Sequence, residues 1–117
     1  MSAFGEYVRN KRLELQEADP QFSLRKVAAA IDVEPSYLSK IERGEQPPPG
    51  EKTIVALAQA LGEDADVLLA LAGKVSEDLQ AIIRKRPKLF DQLIRDLKKM
   101  PDHAVLRLVR EVRDGKW

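Results

Sequence analysis

Apolar residues along the chain recur at helical spacing, and no stretch alternates with period two for long enough to form a strand. Glycine and proline cut this pattern into helical lengths, so the expected fold class is all-α. A first helix is predicted over 3–16, with Phe4, Val8 and Leu15 on one face and Tyr7 beside them. Pro20 removes a donor and restricts the residue before it, which makes 17–21 a breaker-rich loop. Ser23 is a good N-cap for a short second helix over 24–31, with Leu24, Val27, Ala28 and Ile31 as its buried positions. Asp32-Val33-Glu34 is a tight connection to a third helix over 35–43. Pro35 fits a first helical turn, and Gly44 can take the left-handed conformation at the end. Leu38 and Ile41 face inward there, Tyr37 lies at the edge, and Ser36, Ser39 and Lys40 occupy the other faces.

Beyond the stiff Pro47-Pro48-Pro49-Gly50 loop, two more helices are expected. One spans 51–61, with Ile54, Leu57, Ala58 and Leu61 on a stripe, and the other spans 64–72; Gly62 and Gly73 close them. The remaining 44 residues divide the same way. Ser76, Glu77 and Asp78 open a sixth helix with Leu79, Ile82 and Ile83 inward, ending at the basic run Arg84-Lys85-Arg86. Pro87 starts a seventh with the stripe Leu89, Phe90, Leu93, Ile94 and Leu97, closed at Met100-Pro101. An eighth carries Val105, Leu108, Val109 and Val112, and Asp114 to Trp117 forms a polar tail with one aromatic. The expected organisation is a five-helix domain over 1–72 followed by a three-helix extension over 73–117.

Composition narrows the function classes. The chain has 117 residues, 44% of them apolar and 33% charged, which suits one soluble, helix-rich domain with an appendage. No charge-free run approaches the ~20 apolar residues of a membrane span. Met1 to Glu6 carries no export signal, so a cytoplasmic location is expected. There is no cysteine for disulfide or thiolate chemistry, and His103 is the single histidine, too few for a histidine-based metal site. The carboxylates Asp64 and Asp66, or Asp91 and Asp96, lack a companion base or a phosphate-cradling loop. No catalytic group, metal or cofactor is expected. The net charge of +1 hides an asymmetry: residues 1–72 hold 8 Lys/Arg against 12 Asp/Glu, a net of −4, and residues 73–117 hold 12 against 7, a net of +5.

The most informative unit is the pair of short helices joined by a three-residue turn. Helices this short must be held by packing, which Ala28 and Ala29 at the crossing permit. In a helix-turn-helix the second helix presents its N-terminal residues to the major groove while the first braces it. Ser36, Ser39 and Lys40 can meet base edges or phosphates there. The chain resembles the lambda-repressor/Cro-like (Xre) helix-turn-helix proteins over about residues 4 to 72. Val8-Arg9-Asn10-Lys11-Arg12 is similar to their first-helix signature and Ser23 to Ile31 to their bracing helix. Ser36 to Gly44 is similar to their recognition helix, and Ile54 to Gly62 to their fourth helix.

The resemblance implies a lambda-repressor-like domain and assigns roles. Arg12 and Glu42 match a structural salt bridge, so Arg12 is not counted as a DNA ligand. Pro35, Ser36, Ser39 and Lys40 match base-facing positions, with Tyr37 beside them. Arg25 and Arg43 match positions near phosphates, and Lys52 matches a backbone contact at the start of the fourth helix. Three features depart from the family's pattern. Leu24 stands where many members have a phosphate-bonding glutamine. The segment Glu45 to Gly50 is not basic. The 17–21 loop is some five residues longer than the compact form. The resulting expectation is a dimeric, sequence-specific regulator of double-stranded DNA, a repressor by default, reading a palindromic operator through helix 35–43 and dimerising through 73–117. The alternative is an antitoxin-type interaction protein whose C-terminal block binds a partner protein and whose DNA binding is autoregulatory.

Overall fold

The computed structural model describes residues 3–115, so Met1 and Ser2 at one end and Lys116 and Trp117 of the predicted Asp114 to Trp117 tail at the other lie outside the described residues, while Asp114 and Gly115 of that tail end and cap a helix. The regular structure among these residues is all helical, with no strand among them. Eight α-helices follow in order: α1 Ala3–Ala18, α2 Leu24–Ala30, α3 Pro35–Glu42, α4 Glu51–Leu61, α5 Ala65–Leu71, α6 Glu77–Lys85, α7 Pro87–Lys98 and α8 Asp102–Asp114. They fall into two compact units that divide between Ser76 and Glu77.

Local chemistry explains the ends of the helices in the first unit. α1 runs two residues further than the 3–16 expectation, because proline constrains the residue before it and little beyond. Asp19 is extended, with φ −148°, while Ala18 is still helical. Pro20 then opens a single 3-10 turn to Phe22, capped by Asp19 Oδ1, which accepts from the Gln21 amide at 2.9 Å. The segment 17–21, expected as a breaker-rich loop, is therefore the end of α1 and the start of this 3-10 turn, with Asp19 between them. Ser23 Oγ caps α2 by accepting from the Lys26 amide at 3.2 Å, and Asp64 Oδ1 caps α5 by accepting from the Asp66 amide at 2.8 Å. Asp32, in the turn between α2 and α3, takes φ +60°, a left-handed conformation that short polar side chains tolerate better than most.

The core draws on all five helices. Phe4 and Val8 of α1 join Val27 and Ala28 of α2, with Ile31 at its end. Leu38 and Ile41 of α3, Ile54, Leu57, Ala58 and Leu61 of α4, and Leu68 and Leu69 of α5 complete it. Leu15 and Leu24 pack against this cluster only in part, and Tyr7 stays on the surface. The Tyr7 hydroxyl donates to Glu63 Oε2 at 2.9 Å, and Lys11 Nζ lies 3.6 Å from Glu63 Oε1, fastening α1 to the α4–α5 connection. Gly5 is buried where α1 crosses the end of α3. A Cβ there would run into the carbonyl oxygen of Ile41 and come within 2.9 Å of that of Glu42.

The second unit differs in kind. No described residue of α6, α7 or α8 is buried. Leu79, Ile82 and Ile83, expected to face inward, do not reach a core: Ile82 is 48% exposed and Ile83 half-buried. Leu89, Leu93 and Ile94 of α7 and Leu106, Val109 and Val112 of α8 are exposed as well, Leu89 to 65%. The helical period holds, but three helices of 9, 12 and 13 residues do not enclose their own apolar stripes. Polar details follow helix electrostatics, with Glu77 and Asp78 in the first turn of α6, Arg84 and Lys85 in its last, and Arg95 Nε 3.0 Å from Asp91 Oδ1 one turn away on α7.

Two outcomes are expected. Gly5→Ala forces α1 and α3 apart and lowers the unfolding free energy by about 3 kcal/mol, as overpacking does at an unyielding backbone contact; urea denaturation reads it. The hydrogen bond to the Glu63 carboxylate, aided by some desolvation and by the negative charges of Glu63 and Glu14, pushes the Tyr7 phenol above its ordinary value of 10.0. Its contribution to stability is present below the unfolded-state pKa and is lost as pH rises through the raised one. An ultraviolet phenolate titration places one tyrosine above the ordinary value, and Glu63→Gln moves it back.

Candidate nucleic-acid interface

The candidate surface is built on α2 and α3. Val27, Ala28 and Ile31 press against Leu38 and Ile41, and the turn between the helices is closed by its own backbone. The Asp32 amide donates to the Ala29 carbonyl at 3.2 Å and the Val33 amide to the Ala28 carbonyl at 3.0 Å. Seven and eight residues are too few to hold as isolated helices, so this packing is what fixes α3.

The other end of α3 is held by charge. Arg12 Nε donates to Glu42 Oε2 at 2.7 Å and Arg12 Nη2 to Glu42 Oε1 at 2.9 Å, a parallel two-pronged pair between residues that are 6% and 5% exposed. Arg12 Nη1 donates to Gln16 Oε1 and to the Phe22 carbonyl, each at 3.3 Å. No buried side-chain polar atom among the described residues lacks a partner.

With its two ends fixed, α3 turns one face outward. At 100° per residue, Ser36, Ser39, Lys40 and Arg43 fall on that face with Pro35 at its edge, while Leu38 and Ile41 fall opposite and Glu42 lies beside the Pro35 edge, turned toward α1 by its pairing with Arg12. Ser36, Lys40 and Arg43 are exposed and Pro35 and Ser39 half-buried. Tyr37 falls apart from them, half-buried against the core. Arg43 bends back: its Nε donates to the Ser39 carbonyl at 3.3 Å, and Nη2 meets Glu45 Oε2 at 2.9 Å. Arg25 is exposed and borders a shallow pocket of about 480 Å³ with Ser23, Ala29 and Lys26. Lys26 was not among the candidates from sequence; its adjacency to Arg25 in the first turn of α2 is the signal that marks it. Lys52 is exposed in the first turn of α4, whose N-cap is Gly50.

The family described as a helix-turn-helix domain matches residues 3–71. The chain belongs to this family. No curated protein and no solved structure matches the chain. The matched segment of the helix-turn-helix domain contains the whole buried core and every candidate residue just placed, and α6 to α8 lie beyond it. Among the described residues no cluster of three or more metal-ligating side chains occurs, and His103 lines a shallow pocket on α8 with Arg107 and Glu111.

The buried pair of this helix-turn-helix domain makes a sharp prediction. Arg12→Met leaves Glu42 charged and unpaired inside the domain and costs about 3–5 kcal/mol, whereas the double variant Arg12→Met, Glu42→Leu recovers most of the loss. Thermal melts of the three proteins at one concentration check it; equal losses in the single and double variants would contradict it.

Proposed function

We propose that the protein is a DNA-binding transcriptional regulator of the lambda-repressor/Cro-like kind, acting in the cytoplasm as a dimeric repressor on a palindromic operator. The observation that carries this reading is the exposed polar face of α3, with Ser36 and Lys40 standing clear of a helix anchored at both ends. Placed in the major groove, that face offers two hydroxyls and an ammonium to base edges. Arg25 and Lys52 flank it at the starts of α2 and α4, where they take phosphates. Two-fold symmetry sets two such helices about 34 Å apart, one turn of DNA. The bare aliphatic side chains of α6 to α8 supply the means of pairing, since a unit of about 40 residues rarely folds without oligomerisation or a staple.

A second reading has its own support. Leu89, Ile94 and Val112 on a segment with 11 Lys/Arg against 7 Asp/Glu over 77–117 suit an acidic protein partner as well as a second copy. In that case the chain is an antitoxin-type protein that regulates its own expression.

Selection from a random DNA pool at stated salt is expected to enrich a palindrome, and the pair Ser36→Ala, Lys40→Ala to abolish the enrichment. Lys52→Ala should weaken binding to all duplexes alike and flatten the log K against log salt slope by about 0.9 per half-site. Size exclusion should give a dimer for the full chain and a monomer for residues 1–76. Capture of a stoichiometric protein of another kind by the full chain, lost on the same truncation, favours the second reading. No enriched sequence at all sinks the first.

A further inference from the structure

The start of α4 is held from outside the matched family segment. Its N-cap is Gly50, extended at φ −69° and ψ 171°, and no side chain caps the helix. The residues before it, Pro47, Pro48 and Pro49, have no N–H between them, so this loop cannot tie itself down through backbone donors. Its polar anchors are therefore its carbonyls, beside the packing of the buried Pro49 ring. One is used: Lys74 Nζ donates to the Pro49 carbonyl at 2.9 Å, across a gap of 25 residues, and both residues are at least partly buried. A charge-assisted bond of this kind is stronger than a neutral one.

Lys74 is itself fixed. Gly73 is left-handed at φ +72°, its amide donates to the Ala70 carbonyl at 2.9 Å, and the Lys74 amide donates to the Leu69 carbonyl at 2.8 Å. That pair of bonds terminates a helix rigidly, and Leu69 is in the core. A continuous set of stiff links therefore runs from the core through the end of α5 to Lys74, then to Pro49, Gly50 and the first turn of α4, where Lys52 lies.

We infer that Lys74 is a positioning residue that fixes the start of α4, and with it Lys52 and the first amides of the helix, for contact with the DNA backbone. The inference rests on the DNA-binding reading above. Lys74 acts through Pro49 and touches no phosphate itself. Its loss leaves every contact group present but loosens the segment that carries them.

The test uses the full chain with Lys74→Met, which keeps the apolar stem, and Lys74→Arg, which keeps a donor. Hydrogen exchange without DNA is expected to quicken in Lys74→Met at the Ile54 amide, whose acceptor is the Gly50 carbonyl, and to stay unchanged in α2 and α3. Binding to the selected duplex is expected to weaken about three- to tenfold, the cost of ordering one loosened segment on association, with the salt slope unaltered. Lys74→Arg restores both. A slope flattened by about 0.9 per half-site would make Lys74 a direct phosphate ligand and overturn the proposal. So would unchanged exchange at Ile54, or exchange raised evenly over the whole domain. A wild-type chain that selects no duplex removes the DNA reading and this role together. A wild type and a Lys74→Met variant that bind equally well remove this role alone.

Discussion

The first unit is organised around one buried ion pair, Arg12 and Glu42. The Arg12 guanidinium is almost fully withdrawn from water, and its desolvation is offset only if its three nitrogens find acceptors in good geometry. Glu42 takes two donors, and Gln16 and the Phe22 carbonyl share the third nitrogen. Each acceptor comes from a different part of the structure: the end of α3, the next turn of α1, and the 3-10 turn before α2. The pair therefore demands that three segments meet at one point. The longer connection after α1 is part of this arrangement, because its ordered turn delivers the Phe22 carbonyl to the guanidinium.

That demand propagates to Gly5. For Arg12 to reach the end of α3, α1 must cross it with backbone nearly touching backbone, and only a residue without Cβ allows the carbonyls of Ile41 and Glu42 so near. Gly5 and Arg12 lie seven residues apart, two helical turns, so both fall on the face of α1 that looks at α3. One contact is steric and the other ionic. Together they set where the C-terminal end of α3 lies, while the core residues and the closed turn at Asp32 set where it begins. The outward face of α3 inherits its orientation from these buried contacts, so a core substitution at either point acts on the candidate interface as well as on stability.

Some of this was legible in the sequence and some was not, for physical reasons. α4 has the bounds expected, Glu51–Leu61, because a proline-glycine entry and a left-handed Gly62 are unambiguous local signals. α1 outran its expected end because Pro20 governs Asp19 and nothing earlier. The period of Leu79, Ile82 and Ile83, or of Leu89 to Leu97, reveals that a helix has an apolar face but carries no information about what covers it, and within the described chain these faces stay largely bare. Gly5 has no motif to mark it, since a glycine inside a helix declares its reason only when the crossing helix is seen. The clasp between Lys74 and Pro49 is likewise silent in sequence, because two residues 25 apart share no pattern.

The charge balance takes a different meaning once geometry is known. Residues 1–76 carry 9 Lys/Arg against 12 Asp/Glu, a net of −3, so the helix-turn-helix unit does not attract a polyanion through its overall field. Several of its cations are already engaged: Arg12 is buried with Glu42, Arg43 meets Glu45, and Lys11 meets Glu63. Arg25, Lys26, Lys40 and Lys52 are exposed and belong to no ion pair among the described residues. All four sit on α2, α3 or the first turn of α4, the elements whose positions the buried contacts determine; Arg9, likewise exposed and in no ion pair among the described residues, sits on α1. In such a domain attraction depends on where a few cations are held. Their effect is local, falling away within a Debye length of ~8 Å at physiological salt. Rigid placement therefore matters more than the sum of charges, and the buried Arg12, by fixing the end of α3, bears on a candidate interface that its own side chain does not line.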